Sequence, residues 1–149
     1  MTQRTAINSR QKGAGAEREF AAEIMTRLNV RLVRVLDQSR NGGFDLAPAP
    51  DQTGKEVDTL RRLAIECKRY SDIQQHMLTR FWDQACRQGD ASGLTPVLAY
   101  RADRQPWRIV VPLSWLAGIG EASADMSLTA ALSLDGFAEA VRHLAGRDT

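Results

Sequence analysis

The chain has 149 residues, 43% hydrophobic and 26% charged, with a net charge of +2. Those values fit one folded domain with a real core and exclude a disordered chain. No apolar run approaches the roughly 20 residues of a transmembrane helix, and the first residues contain no signal-peptide apolar stretch. Cys67 and Cys86 are too few for a disulfide framework, so a reducing cytoplasm is the expected compartment.

The predicted elements follow in chain order. Residues 1–12 are polar and basic without periodicity and are expected to form a flexible basic arm, leaving 13–149 as a single domain. From about Ala14 to Asn29, Phe20, Ala21, Ile24, Met25 and Leu28 recur at helical spacing. "VRLVRVLD" (30–37) predicts a strand, "SRNGG" (39–43) a turn, and "FDLAPA" (44–49) a second, Pro-limited strand. "DQTGKEVD" (51–58) has the polarity of a loop, and 62–69 that of a third strand. A second helix is expected over 73–88, with Met77, Phe81, Trp82 and Ala85 inward. Strands follow at 95–101 and 107–113, a short one near 127–133, and a last helix from Asp135 to Ala145. The order α-β-β-β-α-β-β predicts an α/β fold: a mixed sheet flanked by helices.

Charge is distributed unevenly along this order. Residues 1–40 carry eight Arg and Lys against four acids, a balance of +4, whereas residues 113–149 carry two Arg against five acids, a balance of −3. A basic front and an acidic tail fit a one-sided surface that meets a polyanion, or a chance fluctuation.

The stretch "LAIECKRY" (63–70) sets Glu66 and Lys68 on the strand face opposite Leu63, Ile65 and Cys67. Two residues apart on a strand, they lie within roughly 6–7 Å. An edge ion pair would also produce that pattern. In "GGFDLAP" (42–48), Asp45 points away from Phe44 and Leu46, and the preceding glycines leave room beside it. Turn chemistry alone also favours Asp there. If the two strands are neighbours, Asp45 and Glu66 converge, and converging carboxylates suit a hard cation such as Mg²⁺. Glu17 shares the apolar stripe of Phe20, Ile24 and Leu28, where a carboxylate is costly unless paired, hydrogen-bonded or near a metal. Its alternative is a favourable meeting with the helix dipole.

Together, "KGAGAER" (12–18), "FD" (44–45) and "ECK" (66–68) resemble the PD-(D/E)XK nuclease superfamily, and within it the archaeal-type Holliday junction resolvases and their phage-borne relatives. The likeness covers roughly residues 8–112. It departs from the usual pattern in Phe44, where a proline is common before the acid, and in the long connection from Asp45 to Glu66 across a hairpin tip at 48–61.

The resemblance implies a restriction-endonuclease-like α-β-β-β-α-β core and a metal-dependent DNA endonuclease that resolves branched DNA. Asp45 and Glu66 would hold Mg²⁺, replaceable by Mn²⁺, with the Cys67 carbonyl as a further ligand. Lys68 would orient the attacking water and Glu17 would position water or a second ion. Arg10, Lys12, Arg18, Arg40 and Arg69 supply cations for DNA phosphates, although each also fits a solvated surface charge. Gln84 lies near a polar active-site position of the superfamily, with a helix-surface hydrogen bond as the alternative. Phe81 and Trp82 fit the core. His76 and His143 are isolated, with no metal-ligand residue three or four positions after either, which argues against zinc.

Paired nicks in a junction require two sites, hence a twofold homodimer. Its expected contact is "WRIVVPLSWLAGIG" (107–120), with Trp115 as anchor and Trp107 as core or contact. The alternatives are a repair or restriction-type nuclease on linear duplex, and a non-catalytic DNA-binding module that keeps the fold.

Overall fold

The computed structural model describes residues 2–35, 43–118 and 124–147, with side chains from residue 15 onward. Helix α1 runs Thr2–Leu28 and is followed by strands β1 (Leu32–Arg34) and β2 (Leu46–Pro48), a short helix α2 (Lys55–Arg61) and strand β3 (Leu63–Tyr70). Helix α3 (Gln75–Ser92) leads to β4 (Thr95–Ala102) and β5 (Arg108–Pro112). Helix α4 (Leu113–Ala117), a 3-10 turn (Met126–Leu128), β6 (Thr129–Leu132) and α5 (Leu134–Arg147) complete the chain.

The six strands form one sheet in sequence order, β1 to β6. Only β3 and β4 are parallel, in register from Leu63↔Thr95 to Tyr70↔Ala102, and α3 makes the crossover between them. A parallel pair needs such a crossover, which explains the helical period between two apolar strands. Alternation divides the core. Ile65, Cys67, Val97, Ala99, Ile109 and Val111 face Phe20, Ile24, Leu60, Phe137 and Val141 from α1, α2 and α5. Leu98 and Val110 face Phe81, Trp82, Ala85 and Cys86 of α3. The result is a mixed sheet between two helical layers.

Helix ends follow local chemistry. Asn29 takes the left-handed φ of 54° after α1 while its N–H donates to Met25 O, and Gly93 does the same for α3 at φ 70°. Asn and Gly tolerate that region best.

Four elements differ from expectation. Helix α1 begins at Thr2 rather than near Ala14, because Gln, Arg, Lys and Ala propagate a helix without any apolar period. Strand β1 covers three residues, and the expected turn at 39–43 falls largely outside the described residues. The polar connection 51–61 contains α2. There Val57 and Leu60 supply a one-turn apolar contact, and Arg61 Nη2 donates to the carbonyls of Ala49 at 3.1 Å and Gln52 at 2.7 Å. A half-buried arginine that gathers loop carbonyls stands in for an apolar period.

The last difference concerns the tryptophans. Trp107 is 4% exposed and donates its Nε1 to Glu19 Oε1 at 3.1 Å, so it belongs to the core. Trp115 lies in α4, not a loop, and stacks on Phe137 with ring centroids 5.9 Å apart. One domain covers most of what an interface anchor would need.

Candidate functional site

The site forms where β2 and β3 part. Their ladder carries one aligned pair, Leu46↔Ile65, flanked by Asp45 N–H donating to Ile65 O at 2.9 Å. Beyond that point β2 ends, and the Asp45 side chain continues the pairing: Oδ2 accepts the Cys67 N–H at 2.9 Å. This places Asp45 beside Glu66, and the two carboxyl groups act directly on each other. In a strand the N–H and C=O of one residue point to the same side, so the Cys67 carbonyl also faces this gap.

Glu66 is 4% exposed. Its Oε1 is served twice, by Lys68 Nζ at 3.2 Å and by Gln84 Nε2 at 3.3 Å from α3. Its Oε2 is buried without a donor. Burial and the neighbouring Asp45 push the Glu66 carboxyl up to about 8, against the opposing pull of Lys68. Burial likewise raises Asp45, although the Cys67 N–H lowers it in part. Two carboxyls this close in an apolar setting favour sharing a proton.

Glu17 approaches from α1, on the sheet's other face. It is 9% exposed and pairs with Arg34 Nε at 2.5 Å, an ion pair rather than an aligned hydrogen bond. Burial first, and the Asp45 charge second, raise its carboxyl. Glu17, Asp45, Glu66 and Lys68 are therefore one electrostatic unit. The Cys67 thiol is buried among these acids and is held neutral.

These residues fit a hard divalent cation. The donor-less Glu66 oxygen beside Asp45 and the Cys67 carbonyl are an oxygen set for Mg²⁺ or Mn²⁺ with waters completing the shell. Among the described residues no three His, Cys, Asp or Glu side chains form a metal cage.

The expected phosphate-binding cations lie differently. Arg18 is exposed on α1. Arg69 turns away from Lys68 and pairs with Glu19 Oε2 at 3.1 Å and Asp103 at 3.6 Å, in a network where Glu19 also accepts from Arg101 and Trp107. The side chains of Arg10 and Lys12, and Arg40 entirely, lie outside the described residues.

Sequence reasoning ranked Gln84 as a surface residue and did not single out Arg34. Gln84 falls three residues after Phe81 on the inward face of α3, a signal available beforehand. Nothing local marks Arg34, whose pairing with Glu17 depends on tertiary placement.

Residues 8–130 match the family described as "Phage putative PDDEXK endonuclease". The chain belongs to that family. The endonuclease is also similar in structure to Hjc of Archaeoglobus fulgidus, a Holliday junction resolvase from an archaeal hyperthermophile. Identity is 17%, covering 85% of this chain and 99% of that one, at a TM-score of 0.47. No protein of curated function matches the endonuclease. No described helix is long and apolar enough to cross a membrane.

Proposed function

We propose that this endonuclease is a Mg²⁺-dependent hydrolase of branched DNA that acts as a homodimer on four-way junctions in the cytoplasm. The observation that carries the site assignment is the pairing of Asp45 with Glu66 beside Lys68, with one Glu66 oxygen buried and donor-less. The branched substrate is supported by the "KGAGAER" helix motif and its resemblance to resolvases.

Asp45, Glu66 and the Cys67 carbonyl would hold the cation. When bound, it supplies Lewis acidity toward the phosphate and lowers the pKa of a water, so the chain needs no side-chain nucleophile. Lys68 would orient an attacking water and offset charge developing on the phosphate. Gln84 fixes the Glu66 carboxylate, and Glu17 would position a water or a second ion. Arg10, Lys12, Arg18 and Arg40 contact phosphates and set position without reading sequence. Dimerisation supplies the second site that paired nicks require.

The test is cleavage of four-way junction, flap and linear duplex DNA in Mg²⁺, Mn²⁺ and chelator, with sedimentation of the protein alone. Preferred, metal-dependent cutting of the junction by a dimer is the expected result. Equal cutting of linear duplex assigns a repair or restriction-type nuclease, and binding without cutting assigns a non-catalytic module.

A further inference from the structure

Strand β3 ends at Tyr70, two residues beyond Lys68 and on the same face. The Tyr70 ring lies nearly parallel to that of Phe81, with centroids 5.3 Å apart and an 18° tilt. Phe81 also supports Lys68, whose Nζ stands 5.2 Å from its centroid. One ring of α3 therefore seats both residues. Phe81 is 7% exposed and Tyr70 37%, so the stack covers the inner ring and leaves much of the outer one to solvent.

A second feature adjoins it. Tyr70 O accepts the Asp103 N–H at 3.0 Å, which fastens the β4–β5 turn to the end of β3. That turn carries Arg104, exposed and left-handed at φ 66°, a conformation uncommon for a long side chain. A half-open aromatic ring and a turn that carries an exposed arginine thus lie together at the end of the strand that bears Glu66 and Lys68. Aromatic faces with cations beside them are how proteins hold unpaired nucleotides, and stacking serves every base alike.

We propose that Tyr70 is a specificity-determining residue, whose open ring stacks on a base left unpaired beside the scissile phosphate while Arg104 meets the adjoining backbone. The proposal rests on the nuclease reading of the neighbouring site. Its physical content is a preference for distorted DNA. A fully paired duplex must first unstack a base to use the ring, whereas a branch point already offers one.

The experiment uses a four-way junction with 2-aminopurine next to the mapped cut, bound in Ca²⁺ and cleaved in Mg²⁺. Tyr70→Leu keeps an apolar cover over Phe81 but removes the stacking face, and Tyr70→Phe keeps both. Parent and Tyr70→Phe should quench the probe. Tyr70→Leu should not, and its junction KM should rise roughly tenfold with kcat moving much less. A Tyr70→Leu protein that quenches and cleaves like the parent overturns the proposal and leaves the nuclease reading intact. A parent that neither binds nor cleaves any DNA removes both.

Discussion

The Asp45 carboxylate accepts the Cys67 N–H at 2.9 Å, taking the place of the next backbone acceptor of β2 on β3. Asp45 is thus a structural member of the sheet as well as a candidate ligand, and two substitutions separate those roles. Asp45→Asn keeps an oxygen at the same reach; Asp45→Ala leaves the Cys67 N–H unsatisfied, at a cost of about 1–3 kcal/mol. Both should abolish cleavage, while only the alanine variant melts well below the asparagine one. Equal melting temperatures would show that the bond contributes nothing to the fold.

The Glu66 carboxyl sets a pH dependence in the metal-free protein. Its folded value, about 8, lies above its ordinary 4.5, so folding favours the protonated form. That stabilisation is complete below pH 4.5 and is lost as pH rises through about 8. In chelator, urea midpoints should fall by a few kcal/mol equivalent between pH 5 and 8.5. Asp45, also raised, adds in the same direction. Glu66→Gln should flatten the profile and exceed the parent in stability at the alkaline end. An unchanged pH slope in that variant would detach the effect from Glu66. Mg²⁺ binding, by contrast, should release protons at neutral pH and tighten as pH rises.

The acids at the centre of the site were legible because their signals are local. Alternation alone placed Glu66 and Lys68 on one face, and glycine spacing marked Asp45 beside them. What escaped depends on distant residues. Helix α2 rests on Arg61 gathering loop carbonyls, which no apolar period announces. Glu19, gathering Arg69, Arg101 and Trp107, joins three elements far apart in sequence. Trp115 follows a proline in a loop-like context, yet Phe137 of the last helix reaches it. Pairings of this kind follow from the assembled sheet, not from any window of residues.

Lys68 bridges Glu66 and the Phe81 ring, within reach of the gap where the phosphate would lie. Lys68→Ala should slow cleavage by roughly 10²–10⁴-fold, the range for a lost proton-transfer or charge-stabilising group. DNA affinity should change little, since one cation among several phosphate contacts is removed. Because Lys68 holds the Glu66 carboxyl down, its loss should also move the alkaline fall in metal-free stability to higher pH. Single-turnover rates with separately measured affinities decide the matter. Weaker binding with a normal rate would place Lys68 on the binding surface.

Gln84 donates from α3 to the same Glu66 oxygen that Lys68 pairs with. It makes no backbone contact that the sheet requires, and its own position on α3 is half-buried. Gln84→Ala should therefore leave the fold intact while freeing Glu66 to rotate, at a loss of roughly 10–100-fold in activity or metal affinity. Excess Mn²⁺ should recover part of the rate if the defect lies in holding the cation. Gln84→Glu tests the charge separately: a third carboxylate against Oε1 raises the Glu66 carboxyl further, so in chelator this variant should be less stable than Gln84→Ala at pH 8. Metal titrations of both variants give the answer, and full activity of Gln84→Ala at limiting Mg²⁺ would reduce the contact to a bond between helix and sheet.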